Sequence, residues 1–178
     1  TIVNVQLDKV YTAKSFPKHI AEKAEAPQLR ILGFSTICYS REGSPKPDRN
    51  PVVVISVATN TGEEKQFWAD QNKNDKPLLE NFINYVQNFD PDIVVGYGVN
   101  RQEWMYLNER CRRLRLRLSI DKVKTEPHTS VYGHVSLTGR ANVDLFDFVE
   151  EFPEVKIKTL ENLADYLGVM KIKDRTII

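Results

Sequence analysis

Cysteine is scarce in this sequence: Cys38 and Cys111 are the two thiols, both inside apolar patterns. A domain held by a disulfide framework is excluded, and two buried free thiols in a reduced, cytoplasmic setting are expected. Histidine is scarce too. His19 and His128 stand alone in polar segments and are expected at the surface. His134 has no second His or Cys beside it, which favours a structural hydrogen bond over a metal. No apolar run approaches the length of a membrane span, and the opening residues alternate instead of forming a charged region before an apolar core. No membrane partner is expected. An excess of either charge is also missing. The formal net charge is +1, so contact with nucleic acid requires a local patch. One further absence is local. Residues 29–40 read LRILGFSTICYS, an apolar and β-branched run suited to a buried central strand that begins after Pro27. Such strands in α/β proteins carry chemistry at their carboxyl ends. Here that end is Phe34-Ser35-Thr36-Ile37-Cys38, with no carboxylate in it.

Around that strand the chain of 178 residues is long enough for one domain with a sizeable core. Ile2, Val3 and Val5 suggest a short strand, and residues 15–24 a short helix or turn before a linker. Residues 41–50 are a polar loop with Gly43, Pro45 and Pro47. Residues 51–60 form a second buried strand, and Thr61-Gly62 turns the chain into a third at 64–69. These three strands are expected to be antiparallel. Residues 75–89 form the clearest helix: Asp75 caps it, Pro77 suits its first turn, and Leu78, Leu79, Phe82, Ile83, Val86 and Phe89 make one stripe. Ile93 to Val95 follow as a strand parallel to the centre. Asn100 opens another helix, with Trp104, Leu107, Cys111, Leu114 and Leu118 inward and Arg110, Arg112, Arg113, Arg115 and Arg117 outward. A hairpin or two extended pieces over 131–143 come next. A short helix over 144–151 buries Leu145, Phe146 and Phe148, and a last helix is capped by Thr159 and ended by Gly168. The predicted fold class is α/β: a mixed sheet with antiparallel early strands and helices on its faces.

Several stretches match one known pattern in collinear order. Residues 26–34 (APQLRILGF) resemble the entry to the 3′–5′ proofreading exonuclease domain of archaeal family-B DNA polymerases. Residues 90–97 (DPDIVVGY), followed by Trp104-Met105-Tyr106-Leu107, are similar to that family's second exonuclease motif. Residues 130–135 (SVYGHV), Gly139-Arg140, 142–148 (NVDLFDF) and 158–163 (KTLENL) continue the likeness. A single match is weak, whereas a collinear series is specific. The resemblance implies a ribonuclease-H-like fold over residues 26–178. Residues 1–25 would then be a linker or the tail of a polymerase's amino-terminal domain.

It also implies a chemistry. Active relatives hydrolyse phosphodiesters with two Mg²⁺ ions, hard cations that need anionic oxygen ligands. At the positions of the Asp-x-Glu motif this chain has Ser35 and Ile37, and where the second motif has Asp it has Glu103. The third motif, Tyr-x-x-x-Asp, is expected beyond Ile178. A hydroxyl, a hydrocarbon and one lengthened acid do not supply the charge that two dications require. The expectation is therefore an inactivated exonuclease with no metal or other cofactor. Asp144 and Asp147 could substitute, but a capping Asp and a solvated face are preferred.

The expected partners are DNA, single-stranded or primer–template, and the remainder of the polymerase chain. The five arginines from Arg110 to Arg117 could follow a phosphate backbone or form a solvated face. Tyr97 and Tyr106 could stack on bases, whereas Trp104 belongs in the core. The leading expectation is an exonuclease-like domain that persists as scaffold and DNA-contacting surface. The alternatives are a free-standing module that binds single-stranded nucleic acid or a replication partner, and an atypical metal-dependent nuclease.

Overall fold

The computed structural model describes Lys14 and residues 27–169. The strand and helix expected within residues 2–24, His19, and the assignment of residues 1–25 lie outside the described residues.

Alternation builds the sheet. In β1 (Ile31–Cys38), Leu32 and Phe34 are buried while Ser35 and Ile37 on the other face are exposed. The stretch is thus covered on one face only. Its expected continuous burial gives way to the period-two pattern of a half-open sheet. β2 (Val52–Thr59) pairs antiparallel with β1, and β3 (Glu64–Trp68) pairs antiparallel with β2, as the sequence predicts.

α1 (Lys76–Phe89) buries Leu78, Leu79, Phe82, Ile83 and Val86, the predicted stripe. Each such side chain contributes roughly 1.5–3 kcal/mol when fully buried. Asp75 occupies the N-cap position, but its side chain makes no capping bond. Its Oδ2 instead accepts from the Val52 backbone N–H at 2.8 Å and from Arg110. An ion pair in the interior outcompetes the capping role that the local pattern suggests. α1 ends at Asp90, whose φ of 49° lies in the left-handed region.

β4 (Ile93–Gly96) adds parallel to β1, the expected crossover. Gly96 is required there, since a Cβ would stand 2.0 Å from a Val99 methyl. A turn of π-helix, Val99–Glu103, leads into α2 (Trp104–Arg113), which buries Trp104, Leu107 and Cys111. α2 stops at Arg113, short of the predicted Leu118. Leu114 is its cap, and Arg115 adopts a φ of 57°. Leu118 is buried nonetheless, from the segment beyond the helix.

β5 (His128–Thr129) and β6 (Val135–Ser136) form a small separate ribbon, with His128 and His134 exposed. β7 (Ala141–Asp144) is not the hairpin partner that one reading of this region suggests. It joins the main sheet parallel to β4, giving the order β3-β2-β1-β4-β7. Short segments carry too little periodicity to reveal a long-range parallel pairing. α3 (Leu145–Val149) and α4 (Leu160–Tyr166) follow. Thr159 caps α4 by accepting from Asn162 N–H, as predicted. In α3 the expected burial of Phe148 fails. Phe148 is 53% exposed and Val149 takes the buried place, in a small cluster with Val155 and Leu163.

Phe34 packs on Trp104 at 4.6 Å and on Phe82 at 5.8 Å between ring centroids, so α1 and α2 cover the same sheet face. The opposite face is open and bordered by α3 and α4. Cys38 and Cys111 are free thiols, and burial pushes Cys111 up to about 12. No helix among the described residues is long and apolar enough to cross a membrane.

Candidate functional site

The open face forms a cleft of about 890 Å³. Its floor is β1 and β2, with Gly33, Ser35, Ser56 and Ala58. Gly96 and Tyr97 close it at β4, and Leu145 and Leu160 border it from α3 and α4. Cross-strand register explains the floor. Ser35 faces Ser56 and Ser56 faces Gln66, so neutral polar groups run across three strands in one row. Gln66 Nε2 lies 3.4 Å from Ser56 Oγ. The neighbouring row is Ile37, Val54 and Trp68. Ile37 is 60% exposed, so the hydrocarbon lies in solvent-facing sheet and not in a core.

Glu103, the last residue of the π-turn, lines the same cleft but is engaged with β1. Its Oε1 accepts a hydrogen bond from the Thr36 backbone N–H at 3.2 Å, and its Oε2 is buried without a partner. Burial pushes the carboxyl up to about 7, the Thr36 hydrogen bonds oppose that shift, and the nearby Asp144 charge adds to it.

The π-turn is held through contacts that sequence reasoning missed. Asn100 accepts on Oδ1 from the Val135 backbone N–H at 3.1 Å and from Asn142 Nδ2 at 2.8 Å. Asn142 accepts in turn from Trp104 Nε1 at 3.0 Å. Asp144 takes the Gly98, Asn100 and Phe146 backbone N–H groups at 2.6, 2.9 and 3.0 Å. Three donors occupy this buried carboxylate, so Asp144 is a cap and a tether, the preferred of the two expectations. Asp147 is exposed, 3.4 Å from Asn100 Nδ2. Asn142 lies in a motif stretch and Asn100 between two of them, yet an isolated Asn in a sequence carries no signal of its partner.

The donor set does not fit a pair of Mg²⁺ ions. Ser35 offers a neutral oxygen, Ile37 none, and Glu103 is turned to the Thr36 amide. Among the described residues no three of the His, Cys, Asp and Glu side chains are placed to hold a metal ion. Hard dications require several anionic oxygens at one point, and the cleft gathers no such set.

The arginines do not form one helix face. Arg110 is paired with Asp75 through Nε and Nη2 at 2.8 and 2.9 Å, with its side chain 12% exposed. Arg112 pairs with Glu126 at 2.7 Å and Arg113 with Glu109 at 3.1 Å. Arg115 and Arg117 lie past the helix and are exposed. α2 packs on the sheet face opposite the cleft floor, so these arginines and the cleft are on different sides. The Tyr97 hydroxyl donates to the Lys158 carbonyl at 2.7 Å, and its ring packs edge-on against Phe146. Tyr106 donates to the Asn50 carbonyl at 2.7 Å, and Trp104 is buried.

Comparison with known proteins gives a consistent picture. The family described as "DNA polymerase family B, exonuclease domain" matches residues 2–163. DNA polymerase 2 of Aeropyrum pernix is 44% identical over 147 residues, which are 83% of this chain and 18% of that protein. A DNA polymerase of Archaeoglobus fulgidus is 35% identical over 148 residues, 82% of this chain and 18% of that protein. The solved family B DNA polymerase of the hyperthermophilic archaeon Pyrobaculum calidifontis superposes with a TM-score of 0.83 at 45% identity. That match covers 88% of this chain and 20% of the other. The chain thus spans about a fifth of the length of these relatives.

Proposed function

This chain belongs to the exonuclease-domain family of family-B DNA polymerases, and from that premise we propose that it is an exonuclease domain without hydrolytic activity, kept as scaffold and DNA-contacting surface of a replicative or repair polymerase. The observation that carries the proposal is the cleft floor. Ser35, which lines it, and Ile37 beside it stand where the resemblance implies the metal-binding Asp-x-Glu, and the Glu103 carboxylate accepts from the Thr36 amide. Two-metal hydrolysis depends on ions that stabilise both the attacking and the leaving oxygen. Of the acids lining the cleft, Glu103 is bonded to the Thr36 amide and Glu64 stands alone on β3, so no cluster of anionic ligands gathers there for them. The ribonuclease-H-like frame remains intact because its core faces α1 and α2, on the side away from the altered residues.

The partners under this reading are the rest of the polymerase chain and DNA, single-stranded or at a primer–template end. Of the arginine group, Arg115 and Arg117 are the side chains free to meet phosphates, while Arg110 serves the interior. Nucleotidyl transfer would be carried out elsewhere in the full-length protein.

The test is release of nucleotides from a 3′-labelled single strand in millimolar Mg²⁺ or Mn²⁺. The expected result is no release above a chelator control. Metal-dependent shortening from the 3′ end, retained after Ser35→Ala, would overturn the proposal in favour of an atypical working site.

A further inference from the structure

The open face of the sheet carries three side-chain rows across β1, β2 and β3. The first is Gly33, Ala58 and Glu64, the second Ser35, Ser56 and Gln66, the third Ile37, Val54 and Trp68. On β1 and β2 the first row is nearly bare. It holds one methyl group, and a Cβ built on Gly33 would meet only the Ala58 carbonyl, at 3.7 Å. Open space therefore stands directly over the backbone there. Leu145 and Leu160 border that space from α3 and α4, and Tyr97 closes its end with a ring fixed by Phe146 and by the Lys158 carbonyl. The result is a slot with a bare floor, apolar walls and a polar row along one side.

The slot is unsuited to a phosphate. Its ionisable lining among the described residues is Glu64, Lys65 and Glu103. The Lys65 Nζ lies 5.3 Å from the Phe67 ring centroid and 5.2 Å from that of Tyr85, and Phe67 packs on Phe82 of α1. That cation therefore belongs to the α1 side of the sheet. Two acids remain, and an anion taken out of water without a partner is strongly disfavoured. The polar row suits a neutral group instead. Its hydroxyls donate and accept, and the Gln66 amide does both at separate atoms. Among the described residues the Ser35 hydroxyl makes no hydrogen bond, and the Gln66 amide makes one long one, to Ser56 Oγ at 3.4 Å. Neighbouring strands lie roughly 4.8 Å apart, so adjacent members of the row reach one ring edge together.

We propose that this slot holds a base of an unpaired DNA strand, its face on the bare row of Gly33 and Ala58 and its edge along Ser35, Ser56 and Gln66, with no metal ion taking part. A base is flat, uncharged and edged with donors and acceptors, and each of those properties has its counterpart in the slot. The sugar and phosphates stay outside in water. The inference rests on the reading of the domain as a DNA-contacting surface, and adds where, and by which part of the nucleotide, the strand is held. Phosphate contact from Arg115 and Arg117 lies on another side of the domain and is blind to the base.

The experiment compares a short labelled single strand with an abasic strand of the same length and charge, by anisotropy in chelator. Both strands carry the same phosphates, so the difference between them reports the slot. The natural strand is expected to bind about tenfold more tightly or better, the scale of one base contact in single-strand binding. Gly33→Val fills the slot from a strand position that accepts a branched side chain, and Ser56→Ala with Gln66→Ala strips the polar row. Each should bring the natural strand down to the abasic value, with the abasic affinity and the amide spectrum away from the cleft as in the parent. Equal affinity of the parent for the two strands, the result expected where other residues of the chain fill the slot, overturns the proposal and leaves the inactive-domain reading in place. So does a preference that both variants keep, which moves the base contact elsewhere, or one that appears only with Mg²⁺. Free thymidine binding as tightly as the strand overturns it in favour of a nucleoside site. Binding of neither strand overturns the DNA-contacting reading together with the proposal.

Discussion

Arg110 grips Asp75 through two hydrogen bonds, and the same carboxylate takes the first backbone N–H of β2 from Val52. Three elements, α1, α2 and β2, thus meet at one side chain that is 1% exposed. Removing one partner strands a buried charge, which costs roughly 3–5 kcal/mol. Arg110→Ala should lower stability by that amount in urea titrations. The paired change Asp75→Leu with Arg110→Met should recover most of it. A single-variant loss below about 1 kcal/mol would show the pair to be solvated.

This pair also marks where the sequence stops being legible. Period-two and helical patterns located β1 to β4 and α1, since each pattern is local and repeated. Asp75 before a helix start and arginines along a helix are local signals as well, and both mislead here. Their carboxylate and guanidinium meet across 35 positions, a distance no window covers. β7 was hidden for a related reason: four residues pairing in parallel with β4 leave little trace in composition. At the site, the positions of Ser35, Ile37 and Glu103 are singled out by the resemblance to the family's motifs. What Glu103 does with its carboxylate was not, because its acceptor role depends on the Thr36 backbone.

Glu103 should tie stability to pH. Its carboxyl is raised from 4.5 to about 7, chiefly by burial. The folded state therefore holds the proton more tightly than the unfolded state. The stabilisation is complete below about pH 4.5 and is lost as pH rises through about 7, a change of roughly 3 kcal/mol at most. The parent should lose stability over that window relative to Glu103→Gln, whose profile lacks this component. Parallel profiles for the two proteins would contradict the burial of this acid.

DNA contact should track free charge and not the arginine count. Arg112 and Arg113 are engaged with Glu126 and Glu109, and Arg110 with Asp75. Charge reversal at Arg115 and Arg117 should weaken binding of a labelled single strand. It should also flatten the salt dependence, by about one unit of slope for each phosphate that is no longer neutralised. Anisotropy titrations across salt concentrations give both quantities. An unchanged slope in the double reversal would remove this segment from the DNA-binding surface.

Placing acids at Ser35 and Ile37 tests the proposal that the cleft holds no metal. On sequence grounds, Ile37 adds buried apolar area, and Ser35→Asp with Ile37→Glu destabilises the domain. The structure changes the size of that effect. Ser35 is exposed and Ile37 is 60% exposed, so little apolar burial is forfeited and water screens the new charges. In chelator the double variant should lose only about 1 kcal/mol or less of stability. The new carboxylate at Ser35 lines the same cleft as Glu103, and like charge disfavours ionisation, so the Glu103 midpoint should rise from about 7. Metal then separates the two proteins. A cation that binds only the folded state raises its stability in proportion to the logarithm of its concentration over Kd. Millimolar Mn²⁺ should raise the melting temperature of the double variant and leave the parent unmoved. Nuclease activity should stay absent in both, because Glu103 remains bonded to Thr36 and contributes no free ligand. A parent melting temperature that climbs by several degrees with Mn²⁺ would place a metal site in the unaltered cleft, and the inactive-scaffold reading would have to be abandoned.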